Sequence, residues 1–184
     1  MDINLSIILL GIVILVIGLA GNLLMPVYLP YYHYIDSLLI KNSVNVKVNP
    51  LSTVKVLKVT TNESDNTIYV VTNNTNVNVF VYYTNLTLLA NQSGYIAVKV
   101  NPGSYIIAIN NPTDVTQLVE LHYAVVPSYE LSDLFTYSSI VSTVTELLIA
   151  FGIVIAGIGI IRALFKGRVG TKIDRFIQRA RRTS

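Results

Sequence analysis

Ten carboxylates, two histidines and no cysteine are the groups with which this 184-residue chain could do acid–base, metal or redox chemistry. Their spacing supports none of it. His33 and His122 stand alone, with no second ligand at a metal-binding interval. His122 falls on a strand-like run with Glu120 and Ala124, where a structural role is expected. Asp36, Glu63, Asp65, Asp114, Glu120, Glu130 and Asp133 are scattered along the central region. No Gly-rich phosphate loop follows a strand, and no Gly-x-Ser-x-Gly elbow occurs. The expectation is a chain that is not an enzyme, with no catalytic residues, no metal and no cofactor. Without cysteine, thiol redox chemistry, cysteine metal sites and disulfides are excluded.

Two other residue sets carry chemical meaning. Glu146 is the one acidic group inside the second of two long apolar runs. An intramembrane acid can serve a proton path; alternatively it marks the outer headgroup boundary, and the sequence favours the boundary. Asn62, Asn73, Asn85 and Asn91 each begin an Asn-x-Ser/Thr triplet, the glycosylation acceptor. Pro112 disqualifies Asn111. In a segment so rich in Asn, Ser and Thr, such triplets also arise by chance.

The elements that must hold these residues begin with the apolar runs. Residues 140–165 read as a transmembrane helix. Leu147–Ile161 carries no charge, and the flanking Ile140–Thr145 and Ala163–Phe165 bring it to bilayer thickness. Residues 1–25 read as a first transmembrane helix. Gly18-Leu19-Ala20 also has the small-x-small form of a signal-peptidase site, so a cleaved signal peptide is the alternative. The length of the run and its continuation into an aromatic motif favour retention. All six arginines lie beyond Ile161, whereas Tyr28–Ser139 holds five lysines against seven carboxylates. Basic residues beside a span mark the cytoplasmic side. Residues 166–184 are therefore expected inside and the middle of the chain outside, at the cell membrane. A nucleic-acid-binding tail is the other reading of such a basic run; its place directly after a span disfavours it, and no nucleic-acid partner is expected.

Tyr28, Tyr31, Tyr32 and Tyr34, with Pro26 and Pro30 breaking the helix, read as an aromatic belt in an interfacial linker, 26–43. Tyr129, Phe135 and Tyr137 would form the matching belt in a second linker, 128–139. Arg162 is expected to reach to the inner headgroups. Within the second span Gly152, Ala156, Gly159 and Ala163 share one helix face, a small-residue stripe suited to close helix contact. Gly11 and Gly18 could supply the opposing face. In the tail, Ile173, Phe176, Ile177 and Ala180 share one face of a short basic amphipathic helix, with Phe176 and Ile177 dipping into the inner leaflet.

Residues 44–127 change to period two. Val44, Val46 and Val48 alternate with polar residues. Val77, Val79, Val81 and Tyr83 repeat the pattern, as do Ile96, Val98 and Val100; Tyr105, Ile107 and Ile109; and Val119, Leu121, Tyr123 and Val125. Asn-, Pro- and Gly-rich clusters punctuate them, and Pro102-Gly103 suits the centre of a type II turn, with Gly103 at positive φ. Seven to nine short antiparallel strands predict an external β-sandwich, Ig-like or jelly-roll-like, in an α+β membrane protein. The stretch Asn101–Val126, with Pro-Gly-Ser-Tyr, alternating aliphatics, Asn-Pro-Thr and a strand carrying Tyr123 near its end, resembles a hairpin of p24/GOLD-type domains. Those precede a C-terminal span and a short cytoplasmic tail. The Val/Ile/Asn/Thr/Tyr-rich, cysteine-free composition is similar to surface proteins of thermoacidophilic archaea and their viruses.

The sequence thus points to a non-catalytic structural or accessory subunit of a larger membrane assembly, presenting a β-sandwich on the outer face. Its expected partners are membrane lipid and other membrane-protein subunits or itself. A surface protein recognising glycan or protein, and a membrane-enzyme subunit using Glu146, are the alternatives.

Overall fold

The computed structural model describes the backbone of residues 3–182 and the side chains of residues 4–165. The chain divides into two compact units, Met1–Tyr28 with Ser138–Ser184, and Leu29–Tyr137.

The first unit is a helix pair. Its partners are α1 (Ile3–Leu23) and the later part of α4 (Ser128–Arg182), followed on the α1 side by the single-turn α2 (Met25–Tyr28). Runs rich in Leu, Ile and Val, interrupted chiefly by Gly and Ala at their centres, build both helices, and each is long and apolar enough to cross a membrane: Asn4–Leu23 and Ser128–Phe165. α1, at 21 residues, is about 31 Å long, close to a hydrocarbon layer of about 30 Å. The helix breaks where the prolines were expected to break it: α1 ends at Leu23, before Pro26, and α2 ends before Pro30. Pro26 is the second residue of α2, where the missing N–H has no intrahelical partner to lose.

The second unit holds eight strands in two antiparallel sheets, a β-sandwich. They are β1 (Ser43–Val48), β2 (Ser52–Thr61), β3 (Thr67–Thr72), β4 (Asn78–Tyr83), β5 (Leu88–Ser93), β6 (Tyr95–Lys99), β7 (Gly103–Asn111) and β8 (Gln117–Val126). One sheet runs β1-β8-β3-β6, the other β2-β7-β4-β5. This nested order, in which successive strands change sheet except from β4 to β5, is that of a jelly roll rather than an Ig-like sandwich. The alternating aliphatics meet between the sheets: Val48, Ile68, Val70, Val79, Val81, Ile107, Ile109 and Leu121 are fully or almost fully buried.

Several expectations need correction. The two linkers are largely helical. Within 26–43, α3 (Tyr32–Lys41) packs on β8, and Ile35 is buried. Residues 128–139 are the first turns of α4, where Leu131 and Leu134 are buried. Ala124 and Val126 on the outer face of β8 are fully buried too, so that end of the first sheet is covered on both sides. Gly103 opens β7 opposite Thr61 and has no positive φ; the glycine with positive φ is Gly94, at 73°, between β5 and β6. The expected amphipathic face of the tail, Phe176 and Ile177 included, lies outside the described side chains.

Candidate functional site

In the helix pair the small residues are where the two backbones meet. A Cβ placed on Gly152 would lie 2.6 Å from the Leu15 nitrogen and 2.8 Å from the Gly11 carbonyl oxygen. One on Gly159 would lie 2.9 Å from the Ile8 nitrogen, and one on Gly18 would lie 2.9 Å from the Ile149 nitrogen. A Cβ on Gly11 would collide with the Ala156 backbone. No real side chain fits such gaps, so these glycines set the approach of α1 to α4. The stripe is thus filled by this chain's own first helix. Ala163, level with about Asn4 in the first turn of α1, is by contrast exposed.

The register of the pair locates its charged residues. Gly159 faces Ile8, Gly152 faces Leu15, Ile149 faces Gly18, and Thr145 touches Gly21. Glu146 is then level with about Gly21, within one turn of the end of α1, and Arg162 is level with about Leu5 near the other end. Glu146 is exposed on the helix surface and accepts a hydrogen bond of 2.9 Å from Ser142. Its neighbour Thr145 is the buried one, and its hydroxyl donates back to the carbonyls of Val141 and Ser142. The seam therefore presents no free polar group where these two residues lie, and Glu146 is not part of it. Outside the seam, Leu10, Val13, Ile17, Leu147, Phe151, Val154 and Ile161 are all about half exposed.

The expected belt residues divide between the units. Tyr28 is exposed and its hydroxyl donates to the Gly21 carbonyl. In the sandwich unit, Tyr31 and Tyr34 are exposed, Tyr32 is half-buried edge-on to His33, and Tyr137 is exposed. Tyr31 meets Tyr129 edge-to-face, and Phe135 does the same with Tyr69. Phe135 thus packs on the outer face of β3 as well as lying in the expected belt.

His122 is a structural histidine. Its Nδ1 is 3.1 Å from the Leu39 carbonyl, which ties β8 to α3, and its Nε2 is 3.6 Å from the Glu120 carboxylate. Among the described residues no cluster of three metal-ligating side chains forms. All four sequon asparagines are exposed. Asn62 caps its own turn, accepting from Ser64 and Asp65 and donating to the Asp65 carboxylate at 3.0 Å. Asn85 accepts from the Thr87 N–H, Asn73 accepts from the Glu120 N–H across to β8, and Asn91 lies on edge strand β5.

Two polar residues matter that sequence reasoning passed over. Asn111 is fully buried; its amide donates to the carbonyls of Val48, Asn49 and Val115, and its oxygen accepts from the Thr113 N–H and hydroxyl. It knits the β1–β2 turn to the β7–β8 turn. Tyr105, almost fully buried, donates its hydroxyl to the Asn101 carbonyl at 2.8 Å, and burial, with Tyr83 beside it, pushes its phenol above the ordinary value.

The outer face of the first sheet bears two depressions. One, of about 380 Å³, lies over β1 and β8 and is lined by Asn45, Lys47, Asn73, Leu118 and Glu120 among others. The other, of about 400 Å³, lies beside the start of α4 over β3 and β6; Tyr69, Val71, Tyr95 and Phe135 line it, with Thr72, Thr75 and Gly94. Tyr69 is pushed above the ordinary phenol value by burial and then by Tyr95.

No family model and no curated protein matches the chain. Among solved structures, the Yersinia pseudotuberculosis-derived mitogen is similar at 13% identity and a TM-score of 0.35, covering 45% of this chain and 83% of its own. PirA is similar at 9% identity and a TM-score of 0.34, over 45% of this chain and 93% of its own. The Drosophila melanogaster CENP-C cupin domain follows at 8% and 0.28, over 45% and 59%. Likenesses this distant carry nothing about what the chain does.

Proposed function

We propose that this chain is a non-catalytic structural or accessory subunit of a membrane assembly. In this reading α1 and the α4 segment up to Phe165 form a membrane hairpin, the basic tail is cytoplasmic, and the β-sandwich is displayed outside. One observation carries it: the glycine seam closes the two helices on each other, while their remaining surfaces expose a near-continuous apolar coat. Water would penalise that coat by about 25 cal/mol per Å², so lipid or further helices must cover it. Glu146 and Arg162 near the two ends of the register fit the two headgroup layers. Low charge and the structural role of His122 support a binding or scaffolding part.

Native mass spectrometry from mild detergent tests the assignment. A membrane-protein partner at fixed stoichiometry, or a defined homo-oligomer, is the expected result; a monomer under every mild condition overturns it. Topology is tested separately: external protease on intact cells should cut only within Tyr31–Ser138, while tags at both termini stay protected. A mature chain starting at Gly21 would instead leave a single C-terminal anchor.

A further inference from the structure

The depression beside α4 has the composition of a small-molecule site, and nothing in the anchoring role calls for it. At about 400 Å³ it lies at the small end of the range for ligand pockets, about 300–1,000 Å³. Three rings surround it. Tyr69 and Phe135 are held edge-to-face, centroids 5.7 Å apart, so their orientation is set by packing. Tyr95 stands on the outer face of β6, paired to Val71, with 48% of its surface exposed. Each phenol pairs a flat apolar face with a hydroxyl that both donates and accepts. Thr75 also lines it.

Charge narrows the ligand class. No Asp, Glu, Lys, Arg or His lines this groove, whereas the other depression on the same face of the sheet holds both Lys47 and Glu120. An ionic ligand would lose hydration here and find no counter-charge. A purely aliphatic ligand would make no use of the tyrosine hydroxyls. The groove therefore suits a neutral molecule with one apolar face and a rim of hydroxyls. A hexose ring has that form: its axial C–H bonds make a flat apolar patch that stacks on an aromatic face, and its equatorial hydroxyls point outward.

We propose that the groove between β3, β6 and the start of α4 binds a neutral saccharide, with Tyr95 as the exposed stacking platform and the Tyr69–Phe135 pair as the fixed wall. This goes beyond the anchoring role and stands or falls without it.

The test uses the full chain in lipid nanodiscs, because alkyl glycoside detergents would themselves occupy such a site. Neutral gluco-, manno- and galacto-configured trisaccharides are titrated and read by calorimetry and by saturation-transfer NMR. At least one is expected to bind, and Tyr95→Ala to weaken it at least tenfold with the thermal unfolding of the sandwich unchanged. Tyr95→Phe should weaken it less, keeping the ring and losing the hydroxyl. Leu118→Ala, in the other depression, should leave binding unchanged. Absence of binding by all three sugars overturns the proposal, as does binding indifferent to Tyr95→Ala. Tighter binding of an acidic saccharide or of an aliphatic peptide at the same rings overturns it too.

Discussion

The helix pair and the sandwich are built from the same aliphatic residues used in opposite ways. In the sandwich Val, Ile and Leu interdigitate between two sheets and are almost wholly hidden. In the helix pair the contact is made by residues with no side chain, and the large aliphatics are turned outward. The sandwich gains its stability by removing apolar surface from water. In the membrane reading proposed above, the helix pair would gain it by close backbone approach and dispersion contact, which operate where the surroundings are already apolar. Which residues are hidden thus separates the two parts more sharply than overall hydrophobicity does.

The strongest break in that contrast should come at the seam. Gly152→Leu or Gly11→Leu should separate the helices and lower the thermal midpoint of the pair in micelles by tens of degrees or abolish its transition, as followed by circular dichroism. Gly157, beside the seam, has open space within 4 Å of where a Cβ would stand, and Gly157→Leu should leave the midpoint within a few degrees. Equal tolerance at all three positions would show that the small residues do not set the packing.

A smaller effect is expected at Asn111. Asn111→Ala removes a hub serving two turns and strands buried carbonyls, so the sandwich should lose about 3 kcal/mol in urea unfolding while the helix pair keeps its midpoint. A loss of under about 1 kcal/mol would mean that the turns hold without it.

Tyr105 probes the sandwich by pH. Its phenol is raised in the folded state, so the folded state keeps a proton that the unfolded chain releases near the ordinary value of 10.0. Its contribution is complete below that value and falls as pH rises through the folded-state value. Tyr105→Phe should cost about 1 kcal/mol at pH 7, for the lost bond to Asn101, and should flatten the decline above pH 10. An unchanged alkaline decline would place it in other tyrosines.

The smallest effect is expected at Glu146. Exposed beyond the seam and bonded only to Ser142 among its own helix neighbours, it should accept Glu146→Gln with no change in assembly and less than about 0.5 kcal/mol in stability. Loss of an associated activity with assembly intact would return it to a proton path.

How much of this was legible in the sequence depends on what each strand faces. β1, β4, β6, β7 and β8 were visible because Val, Ile, Leu or Tyr recurs at every second position along each. β3 was not, since Tyr69 and Val71 on its outer face lie near Phe135 while Ile68 and Val70 fill the core; a strand covered on both faces loses its alternation. β2 and β5 were hidden by register shifts, between Lys55 and Leu57 in β2 and opposite Val81 and Tyr82 in the β5 pairing, where an extra residue puts the period out of step. α3 was masked by its tyrosines, which read as a membrane belt before Ile35 could read as core. The seam glycines were legible because their spacing follows the helix. Asn111 was not, because one buried asparagine among many exposed ones has no signature in composition.

The nested strand order also fixes when the sandwich can form. β1 has only β8 as a sheet neighbour, and Ser43 is matched to His122, so the first strand made must wait for the last. β3 waits for β6 and β8, and β2 for β7. Such long-range pairing is slow to close. During synthesis an emerging chain would hold unpaired valine-rich edges until about Val126 was available. Aggregation in that interval, more than unfolding afterwards, is the hazard this topology creates.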